Sequence, residues 1–359
     1  MVCAGGGGQL EEVSALDLQI AACIMQGKTT STWKSQAVAW RHWELFRMGQ
    51  GRPSILVRTS EPHEVLEREW DMMRFALTLW NKPSINSGGT VEQYVSHVRS
   101  RHRILGVDIW GGVSVGRLPL LVKALKKFTP PNIRERHPIL VQHLLKLKQM
   151  DTSRQGMNWW AACAVGFQGL MRGGELVWDP SAGEWDPRLH LTRADVIFDL
   201  TNSEVTLWMH PEKTPASVGK KDVPLTFPID DGDPCSAGVA LLALFRGDPV
   251  PKGRWSSTPL FRDTRGQPCT MAGLMAVLKS AVAQCGGHTA FIGTHCLRIG
   301  GGTALAEAGV EPIVIQTMGR WSTDIYRIYV RRCKGYMVRA MRAMTRMLVQ
   351  PAKVGPMFR

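Results

Sequence analysis

Residues 294–332 constrain the fold most strongly, because signals for starting and ending helices follow one another closely there. Thr294 can cap a helix over 295–308, and Gly309 can end that helix in a left-handed conformation. A second helix is expected over about 311–318, since a glycine follows it directly. The pattern predicts two short helices joined by a tight turn.

Two side chains suited to binding an anion lie on the first of these helices. His295 and Arg298 are three residues apart and therefore share one helical face. An imidazole and a guanidinium at that spacing can bind the same anion. The imidazole can donate a proton, and the planar guanidinium can donate two parallel hydrogen bonds. Trp321, Tyr326 and Tyr329 follow on a short third segment. A tyrosine hydroxyl is a poor nucleophile at neutral pH, so its attack on phosphorus would need such cations and a nearby acid or base.

This order of residues resembles the C-terminal signature of the tyrosine recombinase (phage integrase) family, in which His-x-x-Arg is followed by Gly-Arg-Trp and then tyrosine. The sequences RIGGGTALAEAGV, IQTMGRWS and YRIYVR look most like the recombinases of eukaryotic DIRS-type retrotransposons and Cryptons, where Trp commonly occupies the second His position. Taken singly, each residue is better explained by capping or packing. The resemblance implies a mainly α fold with a small antiparallel β-sheet in the catalytic domain (α+β), arranged as a two-domain C-shaped DNA clamp.

An earlier motif, GLMRGGEL, resembles the family's first catalytic-arginine motif. It would place Arg172 just past a buried helix, rigidly enough to aim at a phosphate, with Glu175 orienting nearby groups. In the family, a β-hairpin delivers a lysine that acts as general acid toward the departing 5′ oxygen. Lys213 in Glu-Lys-Thr matches that lysine best. The alternatives in the same hairpin are Lys220 and Lys221.

The resemblance implies strand transfer that needs no metal, no ATP and no other cofactor. Tyr329 would attack a DNA phosphodiester to give a 3′-phosphotyrosine and a free 5′-hydroxyl. It lies eight residues after Trp321 and is followed by Val-Arg, whereas many bacterial members space this tyrosine nine residues from the His/Trp position. Tyr326 is the alternative nucleophile. The implied catalytic set is Arg172, Lys213, His295, Arg298, Trp321 and Tyr329.

Turn clusters and apolar periodicity divide the chain into four parts. We expect a flexible N-terminus over 1–14, and by resemblance a helical core-binding (SAM-like) DNA-binding domain over 15–135, a catalytic domain over 136–332 and a basic C-terminal helix or tail over 333–359. Helices are expected at 31–48, 62–80, 90–105, 117–128, 138–149, 159–171, 235–246 and 270–285. Strands are expected at 195–200, 204–209 and 222–227.

Three features of these elements admit two interpretations each. The tryptophans of helix 31–48 could pack in a core or lie with neighbouring basic residues against a DNA backbone. The three glycines at 300–302 cost about 1 kcal/mol each inside a helix relative to alanine, so they indicate close approach of DNA or of a neighbouring helix. The Met-rich basic segment 336–349 could dock into a neighbouring subunit or pack on its own domain.

Charge and composition point to a polyanionic partner. The formal net charge is +14 over 359 residues. Residues 320–359 hold ten Lys or Arg and one acidic residue, which accounts for +9 of that charge. By resemblance we expect double-stranded DNA as the partner and a homo-oligomer, a tetramer, assembled on it.

Other classes of protein lack support in the sequence. The eight cysteines form no Cys-x-x-Cys pair and no cluster with histidine, so neither a zinc site nor a disulfide framework is indicated. No apolar run is long enough to span a membrane, and the N-terminus lacks signal-peptide features. We therefore expect an intracellular protein, nuclear if its source is eukaryotic.

Two alternatives to a recombinase use the same residues. A type IB topoisomerase would cut and reseal DNA, and so relax supercoils, without exchanging partners. A degenerate protein derived from a mobile element would bind DNA without cutting it. The intact set of six candidate residues argues against the second alternative, since decay should have removed at least one.

Overall fold

In the computed structural model, two compact units divide the chain between Ile133 and Arg134. The structure describes residues 15–28, 30–57, 59, 61–85, 87–110, 112, 114–129, 136–210, 223–321, 324–327, 338 and 341–342. Each unit has its own hydrophobic core.

The described part of the first unit consists of helices packed around aromatic side chains. Trp43 and Phe75 lie at the centre, with ring centroids 5.2 Å apart in an edge-to-face arrangement. Trp40 and Trp43 are buried, so they belong to the core, as one of the two interpretations proposed. The helices are α1 (Ala15–Gln26), α2 (Thr30–Met48), α3 (Pro62–Trp80), α4 (Gly88–Ile104) and α5 (Arg117–Phe128).

The second unit is built around α7, a helix whose residues are buried along most of its length. Its N-cap is Ser153, whose hydroxyl accepts a hydrogen bond from the backbone N–H of Gly156 at 3.3 Å. The other described helices of this unit surround α7 and a three-stranded sheet. The helices are α6 (Val141–Met150), α7 (Arg154–Gln168), α8 (Gly173–Leu176), α9 (Ala237–Gly247), α10 (Met271–Gln284), α11 (Cys296–Glu307) and α12 (Pro312–Met318).

The sheet is antiparallel, with strands in the order β1 (Val196–Asp199), β2 (Glu204–Met209) and β3 (Val223–Pro228). Val205 pairs with Phe227 and Leu207 with Leu225. Along β2 the side chains alternate between the core and the outer face, as expected for a sheet with one buried side. A mainly helical chain with one small antiparallel sheet confirms the predicted fold class.

The glycines of α11 allow close contact with neighbouring backbone inside the protein. A Cβ on Gly300 would collide with the carbonyl oxygen of Ile139, and a Cβ on Gly301 would collide with that of Phe167 in α7. For these two positions the structure therefore supports approach of neighbouring backbone, the second of the two interpretations of the glycine run.

The predicted start of α11 was wrong by one position. The helix begins at Cys296 with His295 as its N-cap residue, and no side chain there caps it. The Thr294 hydroxyl instead lies 3.2 Å from Nδ1 of His295, so its hydrogen bond goes to a side chain. Gly309 has a φ of +83°, which confirms the predicted left-handed stop.

Candidate functional site

The end of α7 turns sharply at a strained residue. Leu170 is completely buried and has a φ of +47°, a left-handed conformation that costs an ordinary L-residue about 1–2 kcal/mol. This turn leaves the carbonyl oxygens of Gly169 and Leu170 available at the end of the helix. Both accept hydrogen bonds from arginine side chains that are distant in sequence. Cations are favoured at this end of a helix.

Arg172 follows that turn and is the N-cap residue of α8. Its backbone N–H donates to Oε2 of Glu175 at 2.8 Å, and its guanidinium donates to Oε1 at 2.7 Å. Half of the Arg172 side chain remains exposed. Glu175 therefore orients Arg172, as the sequence suggested, while leaving it accessible to an anion.

Arg320 is the second cation on Glu175. It donates to Oε2 of Glu175 at 3.1 Å and to the Gly169 carbonyl at 3.0 Å. Burial pushes the pKa of Glu175 up, but the Arg172 N–H and the Arg320 charge outweigh it, so that the pKa lies below its usual value. Glu175 is consequently ionised at neutral pH and shared by two guanidiniums.

Arg298 is buried, with only 1% of its surface exposed. One guanidinium nitrogen donates to the Leu170 carbonyl at 2.9 Å, and another donates to the carbonyl of Gly319. A buried guanidinium needs such partners, because an unpaired charge in the interior is strongly unfavourable. Motif spacing alone did not indicate this burial.

Trp321 lies against the Arg298 guanidinium, 4.6 Å from the guanidinium carbon to the ring centroid. This is the geometry of a cation–π contact. The indole also packs on a small cluster with Ala306 and Ile315. Gly319 permits the arrangement, since a Cβ there would collide with the indole.

His295 lies within the electrostatic reach of both predicted arginines. Burial lowers the pKa of His295, and the charges of Arg136, Arg298 and Arg172 lower it further, while Glu175 acts in the opposite sense. The imidazole is therefore mainly neutral at pH 7. Backbone contact brings the two motifs together, because the Gly173 N–H donates to the Thr294 carbonyl at 3.2 Å.

Three of the six predicted residues thus gather around the end of α7 and the start of α11: Arg172, His295 and Arg298. Trp321 joins them through Arg298. The other two, Lys213 and Tyr329, lie outside the described residues, as do Lys220 and Lys221. Tyr326 is described and is partly buried, and its hydroxyl oxygen accepts a hydrogen bond from Arg327 that raises the pKa of that arginine.

Two arginines of this cluster were not predicted as site residues. Arg136 lies beside the start of α11 because the N–H of Ile139 donates to the Cys296 carbonyl at 3.0 Å. Arg320 lies nine residues before Tyr329, the spacing that many bacterial recombinases use for their His/Trp position. Counting back nine residues from the tyrosine would have identified it, whereas no local pattern singles out Arg136.

The site is strongly cationic. Four guanidiniums, those of Arg136, Arg172, Arg298 and Arg320, surround His295 or Glu175, and Glu175 is the single carboxylate in these contacts. Such a cluster suits a phosphate diester and stabilises additional negative charge on it. Within the part of the chain that the structure describes, no group of three or more His, Cys, Asp or Glu is placed to hold a metal ion. Among those same residues no helix is both long and apolar enough to cross a membrane.

No protein-family model and no curated protein matches the sequence. Solved structures are similar in fold. The XerH site-specific recombinase bound to a palindromic difH substrate in a post-cleavage complex gives a TM-score of 0.56 at 13% identity, covering 93% of this chain and 86% of that one. A lambda integrase dimer bound to a COC′ core site gives 0.50 at 12% identity, covering 88% and 93%. The chain therefore has the tyrosine recombinase fold.

Proposed function

We propose that this protein is a site-specific DNA recombinase that cleaves and rejoins DNA through a 3′-phosphotyrosine intermediate. The observation that supports this most is the meeting of Arg172 with His295 and Arg298, more than 120 residues later in the sequence. The chain that brings them together has a fold similar to those of XerH and lambda integrase. Those two structures contain DNA, and we extend that partner to this chain.

In the proposed reaction, the Tyr329 hydroxyl oxygen attacks a DNA phosphorus atom and the bond to the 5′ oxygen breaks. Arg172 binds a non-bridging oxygen, and Arg298 adds positive charge from its buried position. The neutral imidazole of His295 can accept the tyrosine proton, and Lys213 protonates the leaving oxygen. The phosphotyrosine conserves the bond energy, so attack by another 5′-hydroxyl rejoins DNA without ATP. Lys213 and Tyr329 enter on the sequence alone.

We assign DNA binding to residues 15–135 and catalysis to 136–332. In the first unit, Arg101 lies over Trp40 at 5.2 Å and Arg117 over Trp70 at 5.0 Å. Stacking on tryptophan orders these long side chains before any phosphate arrives, which lowers the entropy cost of binding. This supports the assignment of the first unit to DNA contact.

The finer parts of the proposal rest on sequence resemblance. Gly-Arg-Trp and Tyr-Val-Arg favour a recombinase encoded by a DIRS-type or Crypton-like mobile element, acting in the nucleus. A homotetramer on DNA, with the Met-rich basic segment 336–349 on a neighbouring subunit, completes the proposal. Sedimentation of the protein with and without a duplex carrying its site tests the assembly.

A suicide-substrate assay tests the chemistry. The protein is incubated with labelled duplexes nicked near the scissile position, drawn from the ends of the encoding element and from a pool randomised around the nick. We expect a denaturation-resistant protein–DNA adduct that maps to Tyr329. Tyr329→Phe should abolish it and Tyr326→Phe should retain it. An adduct that maps to Tyr326 would overturn the assignment of the nucleophile.

Lys213 has its own test. A substrate with sulfur in place of the bridging 5′ oxygen has a leaving group that needs no proton. Lys213→Ala should therefore lose adduct on the ordinary substrate and regain it on the sulfur substrate, and Lys220→Ala is the matched control.

Relaxation of supercoils without exchange of partners would favour a topoisomerase. Salt-dependent binding with no adduct on any duplex would favour the DNA-binding alternative.

A further inference from the structure

The turn Gly319–Arg320–Trp321, called the 319–321 turn below, is connected to both predicted arginines by consecutive side chains, to Arg298 directly and to Arg172 through Glu175. Arg320 binds Glu175, which binds Arg172. Trp321 packs on the Arg298 guanidinium. Two arginines that belong to different helices therefore depend on neighbouring residues of one short turn.

The end of α7 completes this arrangement. Arg298 reaches from α11 to the Leu170 carbonyl and also to the carbonyl of Gly319. Arg320 reaches from the 319–321 turn to the Gly169 carbonyl. The turn and the end of α7 are thus joined by two guanidiniums, and the hydrogen bonds of Arg298 are buried, where each is difficult to replace by water.

We propose that Arg320 is a positioning residue, which aims Arg172 at the scissile phosphate through Glu175. This inference rests on the proposed function. The sequence resemblance places Trp321 at the family's second His position. The contacts in the structure, however, connect Arg320 to Arg172. Trp321 then has a separate role, the support of Arg298.

Charge balance explains why two guanidiniums share one carboxylate. With Arg172 alone, Glu175 would neutralise most of the charge that Arg172 presents to a phosphate. Arg320 supplies the second positive charge, so the group of Arg172, Glu175 and Arg320 keeps a net charge of about +1 at neutral pH. Arg320 is 18% exposed and Arg172 is 50% exposed, so the accessible part of that charge is on Arg172.

The first test compares rates of adduct formation in single and double variants under single-turnover conditions. Arg320→Ala should lower the rate about 10- to 100-fold, the usual effect of removing a partner that orients an active group. In an Arg172→Ala background, the further loss from Arg320→Ala should be under about 3-fold, because residues acting through one another are not additive. If the rate losses from Arg320→Ala and Arg172→Ala multiply in the double variant, the inference is overturned.

The second test uses a neutral substrate. A methylphosphonate at the scissile position carries no charge on its non-bridging oxygen, so a group that acts by placing positive charge there becomes less important. The losses caused by Arg320→Ala and Arg172→Ala should shrink together on this substrate. An Arg320→Ala loss of equal size on both substrates would indicate a structural role and overturn the inference.

Arg262 is the matched control. Like Arg320, its side chain is 18% exposed and pairs with a carboxylate, that of Asp248 at 2.5 Å. Arg262→Ala should lose the same factor on both substrates, since it acts only through folding. If Arg320→Ala does not fold, the test compares Arg320→Lys with Arg320→Met. Arg320→Lys keeps the charge and should therefore form more adduct than Arg320→Met. Equal adduct from those two variants would overturn the inference.

The two proposals fail differently. No adduct from the wild-type protein on any duplex overturns the recombinase proposal and the role of Arg320 with it. A normal wild-type adduct together with an unimpaired Arg320→Ala variant overturns the role of Arg320 alone.

Discussion

Arg172 and Arg298 look equivalent in sequence but have different surroundings. Arg172 is half exposed, whereas 1% of Arg298 is exposed. Arg298 donates to two backbone carbonyls and packs on an indole, so its removal would leave acceptors unsatisfied in the interior. One arginine is placed to meet a ligand directly, and the other also stabilises the fold.

Lysine substitutions should separate these two roles. Arg298→Lys keeps the charge but cannot form the planar fork, so we expect the free energy of unfolding to fall by about 2–4 kcal/mol. Arg172→Lys should change it by less than about 1 kcal/mol, since exposed ion pairs contribute little. Unfolding in guanidinium chloride, followed by tryptophan fluorescence, measures the free energy of unfolding of both variants. Equal losses would contradict the distinction.

His102 should make stability depend on pH. It is buried, and Nε2 accepts from the Leu56 N–H at 3.3 Å while Nδ1 donates to the Val98 carbonyl at 2.9 Å. Protonation would break the contact with Leu56. Burial lowers the pKa of His102 below its ordinary 6.5, so the unfolded chain binds the proton more readily. The unfolding free energy should therefore fall as pH drops through about 6.5, and level off below the folded pKa.

The measurement is the unfolding free energy at several pH values between 8 and 5. His102→Gln keeps an acceptor near Leu56 but cannot be protonated, so its stability should depend less on pH. His63 at the exposed start of α3 is the matched control, and His63→Gln should follow the wild-type curve. A wild-type slope in His102→Gln would contradict the assignment.

At the scale of elements, α11 and α7 approach closely enough to exclude a side chain. Gly301→Ala should gain about 1 kcal/mol of helix propensity and lose more, because the new methyl group meets the Phe167 carbonyl. We expect the free energy of unfolding, measured in guanidinium chloride, to fall by about 2 kcal/mol in this variant. Gly253→Ala is the control, since a Cβ there meets no atom within 4 Å. Unchanged stability in Gly301→Ala would show that the two helices can separate at low cost.

Elements with strong apolar periodicity were predictable from the sequence. The helices at 62–80 and 117–128 and the strand at 204–209 have the predicted bounds. The helix predicted at 159–171 begins at Arg154 instead, because Ser153 caps it, and it ends at Gln168. Leu170, just after this helix, has a left-handed conformation, and a leucine in the sequence does not signal that conformation as a glycine would.

The candidate site was predictable only in part. Motif order indicated Arg172, His295 and Arg298, and the structure brings them together. Motif order could not indicate the contact of Arg320 with Glu175, since these two residues are 145 positions apart in the sequence. Likewise, the burial of Arg298 depends on the ends of α7 and α12, which spacing within one motif does not reveal.

At the scale of the whole molecule, the charge of +14 should dominate binding to DNA. Each phosphate contact contributes about −0.9 to the slope of log K against log salt, so on the order of six contacts give a slope near −5. Fluorescence anisotropy with a labelled duplex between 50 and 300 mM salt measures it. Arg172→Ala should reduce the magnitude of the slope by about 1, and Arg262→Ala should not. A slope near zero would exclude binding dominated by phosphate contacts.

The division into two units with separate cores has an evolutionary consequence. Trp43 and Phe75 centre one core, whereas α7 runs through the other. The partners of Arg298 described above, Leu170, Gly319 and Trp321, all belong to the second unit, so we expect a mutation that repacks the first core to leave them in place. Natural selection can therefore alter the first unit, and any preference it has for particular DNA, without rebuilding the arginine cluster, so a lineage can acquire new targets while inheriting old chemistry.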